Sequence, residues 1–398
     1  MPVPARPRVG LRQAWWVLLI FACQKAVFLG WAWADDTHPL LVDLYQWDAP
    51  RYLDIAQHGY TYPTYASDGR EINSNIAFFA LYPLLGRFLA AAVPPLGEAG
   101  ALLVVAGLAS LAGAWGLYAL GTKIASPTAG AALALGWGML PRAFIEVMPY
   151  SEGLFTALSV WAILALATRR YWVAAALCAL AGLTRPTAAA TLTAVGGYLL
   201  VLLVASFVPR WRDRVRTGRA TIIGAGLLSA TGLGLSFAHV AWRTGSWRGY
   251  FDVQDQWNLR LGPPSTTWQL WRTAITTSQP PGYETNTAVA WALPVLTALL
   301  VALVVVAMRR PRWWPTAVHA LVIWAMMATT QTYFHSRERY LLPAFGLVVP
   351  VALVVARLWD ARAARPLTRA LLVLVLVAGT LVSAWWGVEL VTTSKISP

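Results

Sequence analysis

Long apolar runs, separated by short polar connections, occupy most of this chain. A helix that crosses a membrane needs about 20 predominantly apolar residues, and runs of this kind recur along the sequence. The pattern predicts about eleven spanning helices, within a range of about 10–12. They fall at residues 14–33, 100–120, 128–146, 151–168, 171–183, 188–208, 220–241, 288–307, 315–332, 340–357 and 370–390. We therefore expect an all-α polytopic membrane protein in which residues 1–398 form one transmembrane domain.

Two polar segments are much longer than the other connections, at residues 34–99 and 242–287. Within the first, the apolar spacing over 49–59 predicts a short amphipathic helix, with Asp48 as its N-cap and Gly59 as its C-cap. A second helix is predicted over 83–92. It is too short to cross a membrane, so we expect it to lie in the interface. Long loops in a compact fold are often functional.

The charges fall mainly on one side of this topology. Only 12% of the residues are charged against 58% hydrophobic, and the formal net charge is +14. If the N-terminus is cytoplasmic, the short cytoplasmic loops carry most of the arginines, as the positive-inside rule requires. Of the 17 acidic residues, only Asp213 and Asp360 then face the cytoplasm. This pattern predicts a membrane protein with both long loops outside, and it argues against nucleic-acid binding.

Asp48 is the leading candidate for a catalytic group, because it begins a helix just beyond the first span. A carboxylate held at a helix start can serve as a cap and still act as a general base. Asp43 and Asp54 are its rivals. We rate Asp54 as solvated, since it lies on the helix face opposite Tyr52 and Ile55. His58 ends the same helix, and the simplest interpretation is a surface histidine at a helix terminus.

Further ionisable residues lie at the outer ends of later spans. Glu152 opens the fourth span, where a helix dipole favours a carboxylate, but ionisable groups at membrane depth are often functional. Arg185 can snorkel to lipid headgroups or bind a phosphate. His335, Arg337 and Arg339 form the densest outer cluster, suited either to a phosphate or to a salt-bridged loop with a neighbouring glutamate.

Several chemistries lack their sequence signatures. A P-loop, an HExxH motif and a GxSxG motif are all absent, which argues against ATPases, zinc proteases and nucleophile-elbow hydrolases. The sequence also has no D-x-D, which weakens a metal-dependent nucleotide-sugar mechanism. We therefore expect neither a metal nor another cofactor.

Five blocks of polar and aromatic residues occur in chain order. They are Trp47-Asp48-x-x-x-Tyr52-x-x-Ile55-Ala56-x-His58-Gly59-Tyr60, Phe78-Phe79-x-x-Tyr82-Pro83, Tyr150-Ser151-Glu152-x-Leu154-Phe155, Thr184-Arg185-Pro186-Thr187 and Arg337-x-Arg339-Tyr340-Leu341-Leu342-Pro343. Together they resemble the GPI mannosyltransferase 2 (PIG-V) family, which has bacterial and notably actinobacterial members. The first block is fairly specific, and the others are individually weak. The family pattern usually has proline where this chain has Ala80, and often one near Gly346, which leaves the subfamily and acceptor open.

The resemblance implies a glycosyltransferase of the C type (GT-C) that inverts the anomeric centre. Asp48 would be the general base, and the donor would be polyprenyl-phosphate-mannose. The acceptor would be a lipid-linked or glycan molecule at the outer face of the membrane. Candidate ligands of the donor phosphate are Arg337, Arg339, His335 and Arg185. Candidate walls of the acceptor and sugar site are Trp47, Tyr52, His58, Tyr60, Tyr82 and Glu152.

Three other functions stay open at this point. The same fold can use another lipid-linked sugar, such as arabinofuranose or glucose. A transporter is a rival from another class, but it predicts charges near mid-membrane, whereas the charges of this chain, apart from Lys25, cluster at helix ends. An inactive partner subunit is the third.

Overall fold

The computed structural model describes the chain over most of its length and is almost entirely helical. The described residues are 11–35, 38–65, 71–72, 74–213, 215–257, 259–260, 262–277, 285–330, 336–361 and 366–393. The first half contains α1 (Leu11–Ala34), α2 (Leu40–Leu44), α3 (Ala49–His58), α4 (Leu81–Ala92), α5 (Gly97–Ile124), α6 (Pro127–Gly138), α7 (Glu152–Ala167), α8 (Tyr171–Gly182) and α9 (Ala189–Ala205). The second half contains α10 (Pro209–Arg212), α11 (Arg219–Thr244), α12 (Gly249–Gln256), α13 (Pro264–Thr276), α14 (Thr285–Arg309), α15 (Trp314–Thr329), α16 (Arg337–Leu341), α17 (Val349–Asp360) and α18 (Pro366–Thr393).

Every predicted span contains a helix, which confirms the all-α polytopic fold. In the described part of the chain, six helices are long and apolar enough by themselves to cross a membrane: α1, α5, α9, α11, α14 and α18. The other predicted spans coincide with α6, α7, α8, α15 and the α16–α17 pair. These helices are shorter than their apolar runs. In the 128–146 run, α6 ends at Gly138 and a 3-10 segment, Ala143–Val147, follows Pro141, because proline disrupts a regular α-helix.

Small residues allow α8 and α11 to pack closely. A Cβ atom added at Gly232 would overlap the carbonyl group of Ala179, and one added at Gly182 would overlap the backbone at Leu233. Helices in membranes commonly meet at such small residues, since van der Waals packing drives much of their association. This close contact holds the C-terminal end of α8 against α11, and Arg185 follows three residues after that end.

The intramembrane charge noted in the sequence has a partner. Lys25 of α1 forms an ion pair of 2.7 Å with Glu146, and it donates hydrogen bonds to the carbonyl oxygens of Gly138 and Ala143. Both side chains are buried. The pair ties α1 to the segment that follows α6, so it holds the helices together at that point.

The first long segment folds as predicted in its two helices. The helix predicted over 49–59 is α3, and the one predicted over 83–92 is α4, which begins two residues earlier. Between them lie β1 (Thr64–Tyr65) and β2 (Glu71–Ile72), an antiparallel pair of two residues each, and a 3-10 turn, Asn75–Ala77. The sequence did not predict α2 or the strand pair. In the second long segment, α12 and α13 are both too short to span a membrane.

Candidate active site

Asp48 and Arg339 form an ion pair that joins the start of α3 to α16. The Nη1 atom of Arg339 lies 2.8 Å from Oδ2 of Asp48. The side chain of Asp48 is 22% exposed and that of Arg339 is 6% exposed. The carboxylate therefore keeps access to solvent, while its cationic partner is almost completely enclosed.

The prediction that the side chain of Asp48 caps α3 is wrong. Asp48 stands at the N-cap position of α3, but its side chain makes no capping hydrogen bond. The next helix positions explain this: Pro50 has no N–H to donate, and the N–H of Arg51 bonds to the backbone oxygen of Asp48 at 3.0 Å. The carboxylate is thus free of the helix and available to Arg339.

Tyr150 holds the backbone on both sides of Trp47. Its hydroxyl accepts a hydrogen bond from the N–H of Asp48 at 3.1 Å and donates one to the carbonyl of Gln46 at 3.2 Å. Burial raises the pKa of Tyr150, so the hydroxyl keeps the proton that it donates. Trp47 has a φ of 58°, a left-handed conformation that is strained for a bulky residue.

Glu152 is shared by two arginines. Its carboxylate is completely buried at the start of α7, and its Oε1 atom contacts Nη1 of Arg185 and lies 3.7 Å from Nε of Arg339. Arg185 also donates to Oγ of Ser151 at 3.4 Å. The four charged groups thus alternate in sign from Asp48 through Arg339 and Glu152 to Arg185. We call them the charge cluster.

Both arginines of the charge cluster stay protonated. Burial alone would lower the pKa of Arg339, but Asp48, Tyr340 and Glu152 outweigh it, and the pKa lies above its ordinary value. For Arg185, burial likewise lowers the pKa, but the neighbouring carboxylate of Glu152 outweighs burial, so the pKa of Arg185 lies above its ordinary value. Buried ion pairs are weak evidence for stability, but ionisable groups at membrane depth are often functional. The cluster is therefore a candidate site.

Aromatic rings line one side of the cluster. The hydroxyl of Tyr52 shares a hydrogen bond of 2.7 Å with Oγ of Ser151, which places Tyr52 next to Glu152 and Arg185. The ring of Tyr52 makes edge contacts with those of Phe78 at 5.2 Å and Tyr82 at 5.0 Å. Tyr82 is fully buried and donates to the carbonyl of Leu102, so it supports Tyr52 from behind. Tyr60 donates to the carbonyl of Phe78, the residue whose ring contacts Tyr52.

Arg337 differs from Arg339 although only one residue separates them. Its guanidinium is buried and donates to Oγ1 of Thr267 and to the carbonyls of Met327 and Thr330. Side chains two positions apart leave a helix on nearly opposite sides. The predicted phosphate-binding role therefore does not fit Arg337, whose donors are engaged within the protein.

The structure places His58 away from the charge cluster. Its side chain is 73% exposed at the end of α3 and pairs with Asp54 at 3.1 Å. Asp54 is half-exposed, as expected, and it also accepts a hydrogen bond of 2.7 Å from the amide of Asn75. His335, the other predicted histidine, lies outside the described residues.

Sequence reasoning missed one ion pair beside the cluster. The buried Arg142 lies 3.1 Å from Glu338, the residue between Arg337 and Arg339 in the chain. Its only sequence signal was an arginine after Pro141 on the side where few arginines are expected.

Asp43, the rival of Asp48, is completely buried and lies 3.5 Å from both His38 and Gln46. Asp48 is thus the more accessible carboxylate.

Among the described residues, no group of three or more histidine, cysteine, aspartate or glutamate side chains comes close enough to hold a metal ion. The charge cluster itself pairs each carboxylate with an arginine, which is unlike a cation site. Chemistry without a metal or another cofactor stays a prediction.

Comparison with solved structures identifies the fold. ArnT from Cupriavidus metallidurans, solved with undecaprenyl phosphate bound, is similar with a TM-score of 0.51 and 17% identity, over 96% of this chain and 76% of ArnT. The apo oligosaccharyltransferase of Archaeoglobus fulgidus gives 0.53 and 13%, over 96% of this chain and 57% of the enzyme. The complex of AglB from the same organism with an inhibitory peptide and a dolichol-phosphate gives 0.52 and 12%, over 98% and 57%.

This chain has the GT-C fold. At these identities the likeness extends to the fold alone, and the chain spans just over half the length of the archaeal enzyme. No protein-family model and no curated protein matches the chain. Membership of the PIG-V family stays a prediction.

Proposed function

We propose that this chain is an inverting glycosyltransferase that moves mannose from polyprenyl-phosphate-mannose to a lipid-linked or glycan acceptor at the outer face of the plasma membrane. The proposal depends above all on one observation: a partly exposed carboxylate, Asp48, lies within 2.8 Å of an enclosed arginine, Arg339. The two groups have the charges that the two halves of the reaction need.

Asp48 suits the role of general base. The acceptor hydroxyl must lose a proton as its oxygen attacks the anomeric carbon, and a positioned carboxylate can accept that proton. The bond between the anomeric carbon and the phosphate oxygen breaks in the same displacement, which inverts the anomeric centre. Within the charge cluster Asp48 is the one partly exposed carboxylate, which is consistent with one displacement; a retaining glycosidase needs a second carboxylate as its nucleophile.

Arg339 and Arg185 suit the leaving group. The departing lipid phosphate gains negative charge, and fixed guanidinium groups stabilise such charge in a site that excludes water. Both arginines are charged and nearly buried. We assign the aromatic side chains of Tyr52 and Tyr60 to packing against the sugar or the acceptor; the hydrogen bond of Tyr52 to Ser151, beside the charge cluster, supports this for Tyr52. The choice of mannose depends on the family resemblance, so arabinofuranose and glucose remain alternative donor sugars.

The proposal is tested by replacing Asp48 with asparagine. Membranes containing Asp48→Asn are supplied with polyprenyl-phosphate-mannose, and sugar transfer to endogenous acceptors is followed by mass spectrometry. We expect a loss of about 10²–10⁴-fold, the usual contribution of general base catalysis. Asp54→Asn, in the same helix but outside the charge cluster, is the matched control and should retain activity. Transfer by Asp48→Asn at the wild-type rate would exclude Asp48 as the base.

The donor sugar is tested separately. Wild-type membranes receive polyprenyl-phosphate donors carrying mannose, glucose or arabinofuranose in competition, and the labelled lipid products are compared. We expect the mannose product to dominate. Preference for another sugar would keep the reaction class and overturn the mannose assignment.

A further inference from the structure

Glu152 has an environment that does not fit direct contact with a substrate. Its carboxylate has no exposed surface, and its charged contacts are the guanidinium groups of Arg185 and Arg339. A group enclosed in this way cannot reach an acceptor hydroxyl. Its predicted role in acceptor or sugar binding therefore needs a different interpretation.

The two arginines come from distant parts of the chain. Arg185 follows the end of α8, and Arg339 lies in α16. Two guanidinium groups repel each other when they are brought together in a nearly dry environment. Because Oε1 of Glu152 contacts Nη1 of Arg185 and lies 3.7 Å from Nε of Arg339, one carboxylate offsets that repulsion and sets the spacing of the two cations.

The nitrogens that face Glu152 differ between the two arginines. Arg339 directs Nε towards Glu152 and Nη1 towards Asp48, whose carboxylate is partly exposed while Nη1 itself is buried. An anion that replaced the Asp48 carboxylate would therefore meet the same nitrogen that now contacts Asp48. Binding of an anion there would draw Arg339 away from Asp48 and leave the carboxylate free.

We propose that Glu152 is a positioning residue that holds Arg185 and Arg339 together as one clamp for the phosphate of a polyprenyl-phosphate donor. This inference rests on the proposed function. Asp48 contacts Nη1 of Arg339, the atom to which we assign the phosphate. When the donor binds, its phosphate replaces Asp48 at Arg339, and the carboxylate of Asp48 is released to act as the base.

The test measures phosphate binding apart from sugar transfer. Purified full-length protein in detergent is titrated with undecaprenyl phosphate, which carries no sugar, and KM and kcat are measured with polyprenyl-phosphate-mannose. For Glu152→Gln we expect affinity for undecaprenyl phosphate to fall about tenfold and the donor KM to rise by a similar factor. We expect kcat to fall by less, about threefold at most, since both guanidinium groups remain in Glu152→Gln and only their spacing changes.

A matched control separates positioning from general stability. Glu146→Gln also removes a buried carboxylate with a cationic partner, Lys25, but outside the charge cluster. It should lower the unfolding temperature without changing the affinity for undecaprenyl phosphate. Glu152→Asp keeps the charge and should recover part of the affinity that Glu152→Gln loses.

The outcomes are distinguishable. Wild-type affinity for undecaprenyl phosphate in folded Glu152→Gln would overturn the clamp, as would a loss in kcat alone. If wild-type protein binds undecaprenyl phosphate and Glu152→Gln weakens that binding, the clamp is supported. That result stands even if no sugar is transferred from any polyprenyl-phosphate donor, a finding that would overturn the proposed function instead.

Discussion

The two arginines in α16, Arg337 and Arg339, offer a sharp comparison, because the same substitution should affect a different property at each position. Arg339→Gln removes the cation that contacts Asp48 and approaches Glu152. Arg337→Gln removes a guanidinium that donates to Oγ1 of Thr267 and to two backbone carbonyls. We expect the first change to act on catalysis and the second on stability.

The magnitudes follow from what each substitution leaves behind. Loss of one group that stabilises transition-state charge costs about 10²–10³-fold in rate, or about 2.7–4 kcal/mol. In Arg339→Gln, Glu152 keeps Arg185, and Asp48 keeps its access to water, so the cost in stability is small. In Arg337→Gln, the carbonyls of Met327 and Thr330 lose their donor at about 1–3 kcal/mol each. The free energy of unfolding should then fall by about 2–6 kcal/mol.

The assay combines two measurements on the same purified samples. Thermal unfolding in detergent gives the stability of each variant, and initial rates of sugar transfer are normalised to the folded fraction. Arg339→Gln should be nearly inactive at close to wild-type stability. Arg337→Gln should be less stable, yet active per folded molecule. Equal losses of specific activity in the two folded variants would refute the assignment of different roles.

Two further predictions concern the framework around the site. Gly232→Leu forces a side chain against the carbonyl of Ala179, and because overpacking typically costs about 1–3 kcal/mol, we expect a lower unfolding temperature. Gly234→Leu is the control, since Gly234 has open space beside it. Equal effects of the two substitutions on the unfolding temperature would contradict the packing argument. Burial raises the pKa of Asp43, so the folded chain holds that proton more tightly than the unfolded chain and this residue's contribution to stability falls as the pH rises above about 4. Asp43→Asn should therefore stabilise the protein more at neutral pH than at acid pH in unfolding scans, and a gain independent of pH would contradict the expected linkage.

The helices were predictable from the sequence because their signals are local. An apolar run of sufficient length marks a membrane helix whatever its neighbours are, and the spacing around Tyr52 and Ile55 marks α3 equally well. The strand pair at Thr64–Tyr65 and Glu71–Ile72 was not predictable, since two residues are too few to show an alternating pattern. The lengths of the shorter helices also depend on packing, which apolar composition does not report.

The site was predictable in its residue types and not in its pairings. Asp48, Arg185 and Arg339 were all candidates, and the structure brings them into one cluster through Glu152. The different roles of Arg337 and Arg339 follow from their positions in the first turn of α16, which lies before the predicted span at 340–357. The Arg142–Glu338 pair joins residues far apart in the chain, and no local pattern indicates such a contact.

The ion pair between Asp48 and Arg339 also bears on how the protein is made. During synthesis, Glu152 and Arg185 can pair as soon as α8 has been inserted, but Asp48 waits for its partner until most of the chain has been translated. Contacts of such large sequence separation form late, because the intervening chain must first be ordered. We therefore expect translation products that stop before α16 to lack the pair between Asp48 and Arg339, even though Glu152 and Arg185 can already be in contact.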